Sequence, residues 1–165
     1  ELARADGRRR MLSLEDFYLG YRKTALEAGE YLAAVRIPEE AIARPHRIFK
    51  LSKRYEDDIA SVLLALSLEQ SGGQVLRARI ALGGMAATPV RAGRAEEALE
   101  GRVLDDTTIH AAAGLLAGEF SPIDDVRASA AYRRRMAAQL LLRGLRELRD
   151  GSELGLDAAP ALARA

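Results

Sequence analysis

The residues best equipped for chemistry lie between Lys50 and Asp58, in the run Lys-Leu-Ser-Lys-Arg-Tyr-Glu-Asp-Asp. Two cations, one aromatic ring and three carboxylates fall within the six residues from Lys53 to Asp58. Phe49 and Leu51 on one side and Ile59 on the other tie this run to strands. A loop anchored at both ends holds its charges in fixed positions, and that is where a cofactor or a partner is met. Two plainer readings stand beside this one. Lys50 also suits an ordinary solvent-facing strand lysine, and Asp57-Asp58 could simply fix the loop by accepting from its backbone N–H groups.

Other chemistries find little support. The chain has no cysteine, which excludes disulfides, iron–sulfur ligation and thiol catalysis within it. His46 and His110 are far apart and have no partners at metal-ligand spacing. No nucleophile stands with a base, so hydrolase chemistry is not indicated. Gly83-Gly84 reads as a bend by which the chain leaves a sheet, because neither a helix start nor a Lys-Ser pair follows it. The triplets Arg8-Arg9-Arg10 and Arg133-Arg134-Arg135 read as solvated faces. Arg127 and Tyr132 read as ties between the longest helix and its neighbours.

Presenting the charged run requires a sheet. A short strand is expected over Arg8 to Leu12, then a cap-like Ser13 and one helical turn to Phe17, with Gly20 to Thr24 as loop. Glu30 to Ile37 alternates and stops at Pro38, which predicts a strand. After a short polar link, Glu39 to Pro45, a second strand covers His46 to Lys53. In Ile59 to Glu69, Val62, Leu64, Leu66 and Leu68 share one face at period two. The turn Ser71-Gly72-Gly73 leads into Leu76, Ala78, Ile80 and Leu82 at the same period, with Arg77 and Arg79 facing out. Two matched alternations across a glycine turn make a hairpin with one wet face. Helices are expected over Arg94 to Glu100, from Asp105-Asp106 to about Ala117, and from Ser129 to Arg149, with Ser121-Pro122 as a further start. The longest carries the stripe Ala137, Leu141, Leu145 and Leu148. The predicted class is α+β: a small antiparallel sheet of three to four strands with three helices packed on one face.

The bulk numbers fit one globular domain. The chain has 165 residues, 48% hydrophobic and 30% charged, with a net charge of +1. So even a balance gives no electrostatic case for nucleic acid. No apolar run reaches the ~18 residues of a membrane helix, and a chain without a leader or an initial Met reads as a piece of a cytoplasmic protein.

The ordered segments resemble the flavoprotein part of the molybdenum hydroxylases, of the xanthine dehydrogenase type. The resemblance rests on Phe17-Tyr18-Leu19-Gly20-Tyr21-Arg22-Lys23-Thr24, the strand Tyr31 to Pro38, and Phe49-Lys50 with Ser52, Arg54 and Asp57-Asp58. It continues through Gly83-Gly84-Met85-Ala86, Thr88-Pro89-x-Arg91-Ala92, Asp125-x-Arg127-Ala128-Ser129 and Tyr132-Arg133. It implies that residues 1–28 end the FAD-binding segment and that 29–150 form a domain like the C-terminal one of CO dehydrogenase flavoproteins, with 151–165 a flexible tail. It implies FAD as cofactor, with the diphosphate loop, the iron–sulfur clusters and the molybdopterin on polypeptide outside this chain. Electrons from purine oxidation at molybdenum would reach FAD through iron–sulfur centres and leave on NAD+. The implied partners are the rest of the FAD domain, the iron–sulfur domain and a molybdopterin-binding large subunit, with neither nucleic acid nor membrane.

Residue by residue, the resemblance assigns flavin contacts to Lys50 and Leu32, and places Arg54 and Asp57 in the loop beside the ring. A cation at the pyrimidine edge favours the anionic reduced form by ~1–3 kcal/mol. A leucine packed on the ring excludes water, and an acid with a base beside it sets the potential met by nicotinamide. Leu32 reads equally as plain core, and Tyr55 departs from the arginine of some relatives. Two alternatives remain: the flavoprotein of a carbon monoxide or aromatic-acyl dehydrogenase, and a non-catalytic module whose exposed face docks other subunits. The Gly-Tyr-Arg-Lys-Thr and Phe-Lys-x-Ser-x-Arg blocks favour the xanthine dehydrogenase type.

Overall fold

The computed structural model describes residues 1–54 and 57–152. Tyr55 and the expected tail beyond Ser152 lie outside that range. The centre is a four-stranded antiparallel sheet in the order β6-β7-β8-β9: His46–Leu51, Val62–Ser71, Gln74–Gly83 and Val90–Arg91. Period-two alternation sorts its side chains. Val62, Leu64, Leu66 and Leu68 are buried, and Leu64 sits between Phe49 and Leu82 across the sheet. Gly72 and Gly73 take φ of 57° and 80°, the left-handed conformations the hairpin turn demands.

Three helices cover this apolar face: α3 (Gly93–Leu99), α4 (Asp106–Glu119) and α5 (Ala130–Asp150). Asp105 and Ser129 cap α4 and α5 by accepting from the N–H groups of Thr108 and Tyr132. Gly151 ends α5 in the left-handed conformation, φ 63°. The α5 stripe Ala137, Leu141 and Leu145 is buried against the sheet. Gly144 belongs to the same contact: a Cβ there would lie 2.9 Å from Phe49 and closer still to Leu66, so the helix backbone rests directly on β6 and β7.

The expected class is borne out, with local differences. Leu76 is 53% exposed while Val75 is fully buried. The register shifts at Glu69/Gln70, so Leu76 is the extra residue of a bulge and Val75 takes the inward position. The segment expected as loop at Gly20–Thr24 contains a small hairpin, β3 (Tyr18–Gly20) with β4 (Lys23–Thr24). The link after Pro38 holds a single helical turn, α2 (Glu39–Ile42), and Ser121-Pro122 starts no helix. The expected turn after Ser13 is α1 (Leu14–Phe17). Only Glu30–Leu32 of the Glu30–Ile37 segment is a strand, β5, and it joins β1 (Leu2–Arg4) and β2 (Arg9–Arg10) in a separate three-stranded sheet. No helix among the described residues is long and apolar enough to cross a membrane.

Candidate functional site

The helices occupy one face of the main sheet, and the other face is open. Strand register fixes what stands on it. One row runs Lys50, Leu63, Gly83, and the next runs Ile48, Ala65, Ala81, Arg91. In the second row the large Ile48 at the β6 edge gives way to Ala65 and Ala81 at the centre. Ile48 is 64% exposed, and with Ala65, Ala81, Ile37 and Ile42 it lines a cleft of about 390 Å³. Lys50 is exposed on this same face and its amine makes no hydrogen bond or ion pair with any described residue. Its neighbours Phe49 and Leu51 point the other way, into the core. Arg143 of α5 stands 5.0 Å over the Phe49 ring, and the buried Glu147 accepts from Arg47 and Arg143 at 3.0 and 2.7 Å. Helix α5 therefore holds β6 from behind and leaves the lysine to face solvent. A free cation beside a shallow apolar floor suits a planar, partly apolar group with an electron-rich edge.

Leu32 lies elsewhere. It is half exposed on the three-stranded sheet, opposite Leu2, and lines a second cleft of about 170 Å³ with Tyr18, Val35 and Leu12. It is not core in this chain, and it does not share a sheet with Lys50. Arg54 and Asp57 stand on the loop after β6. The Arg54 guanidinium lies 3.7 Å from the Asp58 carboxylate and its side chain is 74% exposed, while Asp57 holds φ 49°. Asp58 does what an Asx-type aspartate does: its Oδ2 accepts from the Arg54 backbone N–H at 2.9 Å, and that bond holds its carboxyl below the usual range.

One residue at this end of the sheet was not anticipated from the sequence. Arg133, expected on a solvated face, is buried, because α5 turns the first of the three arginines inward. Its Nη1 donates to the carbonyls of Ser61 at 2.5 Å and Gly84 at 3.0 Å, and its Nη2 to Asp125 at 2.6 Å. Asp125 also accepts from the N–H groups of Arg127 and Ala128. The Ala128 and Arg127 bonds, followed by Arg133, hold its carboxyl down at about 2. Gly84 has no substitute there: its φ is 80°, and a Cβ would meet the Ser61 carbonyl oxygen at 2.5 Å. The signal was available, since 133 lies four residues before Ala137 and extends the buried stripe backwards.

Among the described residues no cluster of acids and histidines could hold a metal ion. A cleft of about 560 Å³ lies beside the Arg133 cluster, lined by Tyr21, Ala86, Ala87, Ile123 and Arg127.

Comparison with known proteins gives this geometry its context. Residues 47–148 match the family of the CO dehydrogenase flavoprotein C-terminal domain. The chain is 36% identical over 136 residues to the carbon monoxide dehydrogenase medium chain of Afipia carboxidovorans, covering 82% of this chain and 47% of that one. It is 34% identical over 116 residues to the xanthine dehydrogenase/oxidase of Gallus gallus, covering 69% of this chain and 8% of that one. Among solved structures it superposes on carbon monoxide dehydrogenase from Hydrogenophaga pseudoflava with a TM-score of 0.80 and 34% identity, over 88% of this chain and 50% of that one. The chain spans about half the length of the medium chains it matches. On that match, which includes β6 to β9 and the three covering helices, this chain belongs to the CO dehydrogenase flavoprotein C-terminal domain family.

Proposed function

We propose that this chain is the C-terminal part of the FAD-binding domain of a molybdenum-hydroxylase oxidoreductase, and that its open sheet face closes over the flavin. The observation that carries the reading is a lysine, Lys50, whose amine has no partner among the described residues, on the sheet face turned away from α3, α4 and α5, inside the segment that matches a flavoprotein family. Lys50 would hold the polar edge of the ring. Leu32 would pack on it from the neighbouring small sheet, and Arg54 with Asp57 would set the potential beside it. When bound, the flavin accepts electrons from iron–sulfur centres and passes them to a soluble acceptor. The chain's own residues bind and orient it and exclude water.

Residues 1–28 are proposed to end the preceding FAD-binding segment and 29–150 to form the closing domain. The molybdopterin-binding large subunit, the iron–sulfur domain and a cytoplasmic setting belong to the same proposal. Within it, the Gly-Tyr-Arg-Lys-Thr block favours a purine-oxidising enzyme that reduces NAD+. A second reading, a carbon monoxide dehydrogenase-type medium chain, is favoured by the Afipia carboxidovorans medium chain, 36% identical over 82% of this chain against 34% over 69% for the Gallus gallus xanthine dehydrogenase/oxidase.

The test uses the full-length protein with its partner subunits. Flavin absorbance near ~450 nm is expected, bleached by xanthine and restored by NAD+ under the first reading. Bleaching by carbon monoxide alone selects the second. A colourless protein would leave only the docking module.

A further inference from the structure

The Arg133 cluster lies one step from the Lys50 row. Lys50 pairs with Leu63 and Leu63 with Gly83. Past that row the three strands end: Leu51, paired with Val62, is the last residue of β6, and Ser61 and Gly84 are the first outside β7 and β8. The Ser61 N–H donates to the Leu51 carbonyl at 2.7 Å, joining the first two. Arg133 joins the second to the third through the Ser61 and Gly84 carbonyls. Asp125 then ties the guanidinium to the segment between α4 and α5. That segment reaches back to the charged loop, because the Val126 carbonyl accepts from Lys53 Nζ at 2.6 Å and the Arg127 carbonyl from Ser61 Oγ at 3.3 Å.

We infer that Arg133 and Asp125 are positioning residues for the proposed flavin site: together they clamp the end of the sheet so that Lys50 and the start of the loop at Ser52 are held in one place. The inference rests on the flavin reading above. Three features make the cluster more than a stray buried ion pair. Arg133 is 3% exposed and its Nη1 donates to backbone carbonyls at the ends of two separate strands, so it reports on strand spacing as well as on the Asp125 side chain. Gly84 must be glycine to let the guanidinium and the Ser61 carbonyl approach. The loop also meets the clamp from both ends, through Lys53 near its start and Ser61 at its close. A guanidinium is suited to this task because its fork is planar and rigid, and a lysine could satisfy only part of the set.

The experiment compares wild type, Asp125→Asn and Arg133→Lys in the full-length, flavin-loaded protein. Asp125→Asn keeps the volume and most backbone bonds, so it tests the clamp even if Arg133→Lys folds poorly. Amide hydrogen exchange is read at Leu51, Ser61 to Leu63 and Gly84 to Ala86, with Leu66 to Leu68 and α4 as internal reference. The flavin absorption and visible circular dichroism spectra and the midpoint potential are measured on the same samples. Exchange at the clamped segments should rise about tenfold or more with the reference unchanged, and the flavin spectra and potential should shift. Exchange that rises equally in the reference, or not at all, overturns the inference. So does faster exchange with unaltered flavin spectra and potential. Those outcomes are distinct from failure of the flavin reading, which would show as a wild-type protein without bound flavin.

Discussion

Single residues carry the sharpest consequences. Gly84 combines a positive φ with a Cβ position 2.5 Å from a carbonyl oxygen. Gly84→Ala should lower unfolding free energy by about 2–4 kcal/mol, read from urea midpoints; a change under ~0.5 kcal/mol would contradict the tight approach. Asp125 supplies the pH signature. Its folded-state carboxyl titrates at about 2 against an ordinary 3.8, so its ionised form stabilises the fold above 3.8 and that contribution is lost as pH falls towards 2. The groups facing it are the Arg127 and Arg133 guanidinium groups and the N–H groups of Arg127 and Ala128. The stability gap between wild type and Asp125→Asn should hold steady at neutral pH and close across that acid window in thermal unfolding. A gap that widened on acidification would reverse the assigned sign. Lys50 behaves oppositely to both: exposed and without a side-chain partner among the described residues, it should be worth little to stability and much to binding.

At the scale of elements, the β7–β8 hairpin shows how far the sequence could be read. The β7 alternation was legible because Val62, Leu64, Leu66 and Leu68 are buried at strict period two. In β8 the same rule put Leu76 inside, and the bulge reversed it. One inserted residue leaves no mark in a pattern where Val75 and Leu76 are both apolar. Val75→Ala should therefore cost about 1–2 kcal/mol and Leu76→Ala less than ~0.5 kcal/mol, compared by denaturant unfolding. Equal costs would argue against the bulge. Arg133 was missed for another reason: the stripe was read forwards from Ala137, and only its extension four residues back singles out one of three identical arginines. The Lys50 strand was easier, because Phe49 and Leu51 declare the inner face and leave the lysine outward. What the sequence could not give was the separation of Leu32 from the main sheet, since strand partners 30 residues apart, Leu2 and Leu32, carry no local signal.

For the whole molecule, the apolar surface left uncovered is the main physical fact. Leu32, Val35, Ile37, Ile42 and Ile48 are each more than half exposed; one cleft opens beside the small sheet and α1, and another between the α2 turn and the open face. Exposed apolar residues in such number signal a surface meant to be covered. The isolated chain should self-associate through them, and its light-scattering mass should fall on dilution; a monomer at every concentration would contradict this. It should also bind FAD weakly or not at all, because the proposed diphosphate-holding half lies outside it. The central claim is that Lys50 grips the flavin. Titrating FAD into the apo form of the full-length protein, wild type against Lys50→Ala, measures that grip directly. The account predicts roughly 5- to 150-fold weaker binding with an unchanged fold. Equal affinity in the two proteins would contradict it.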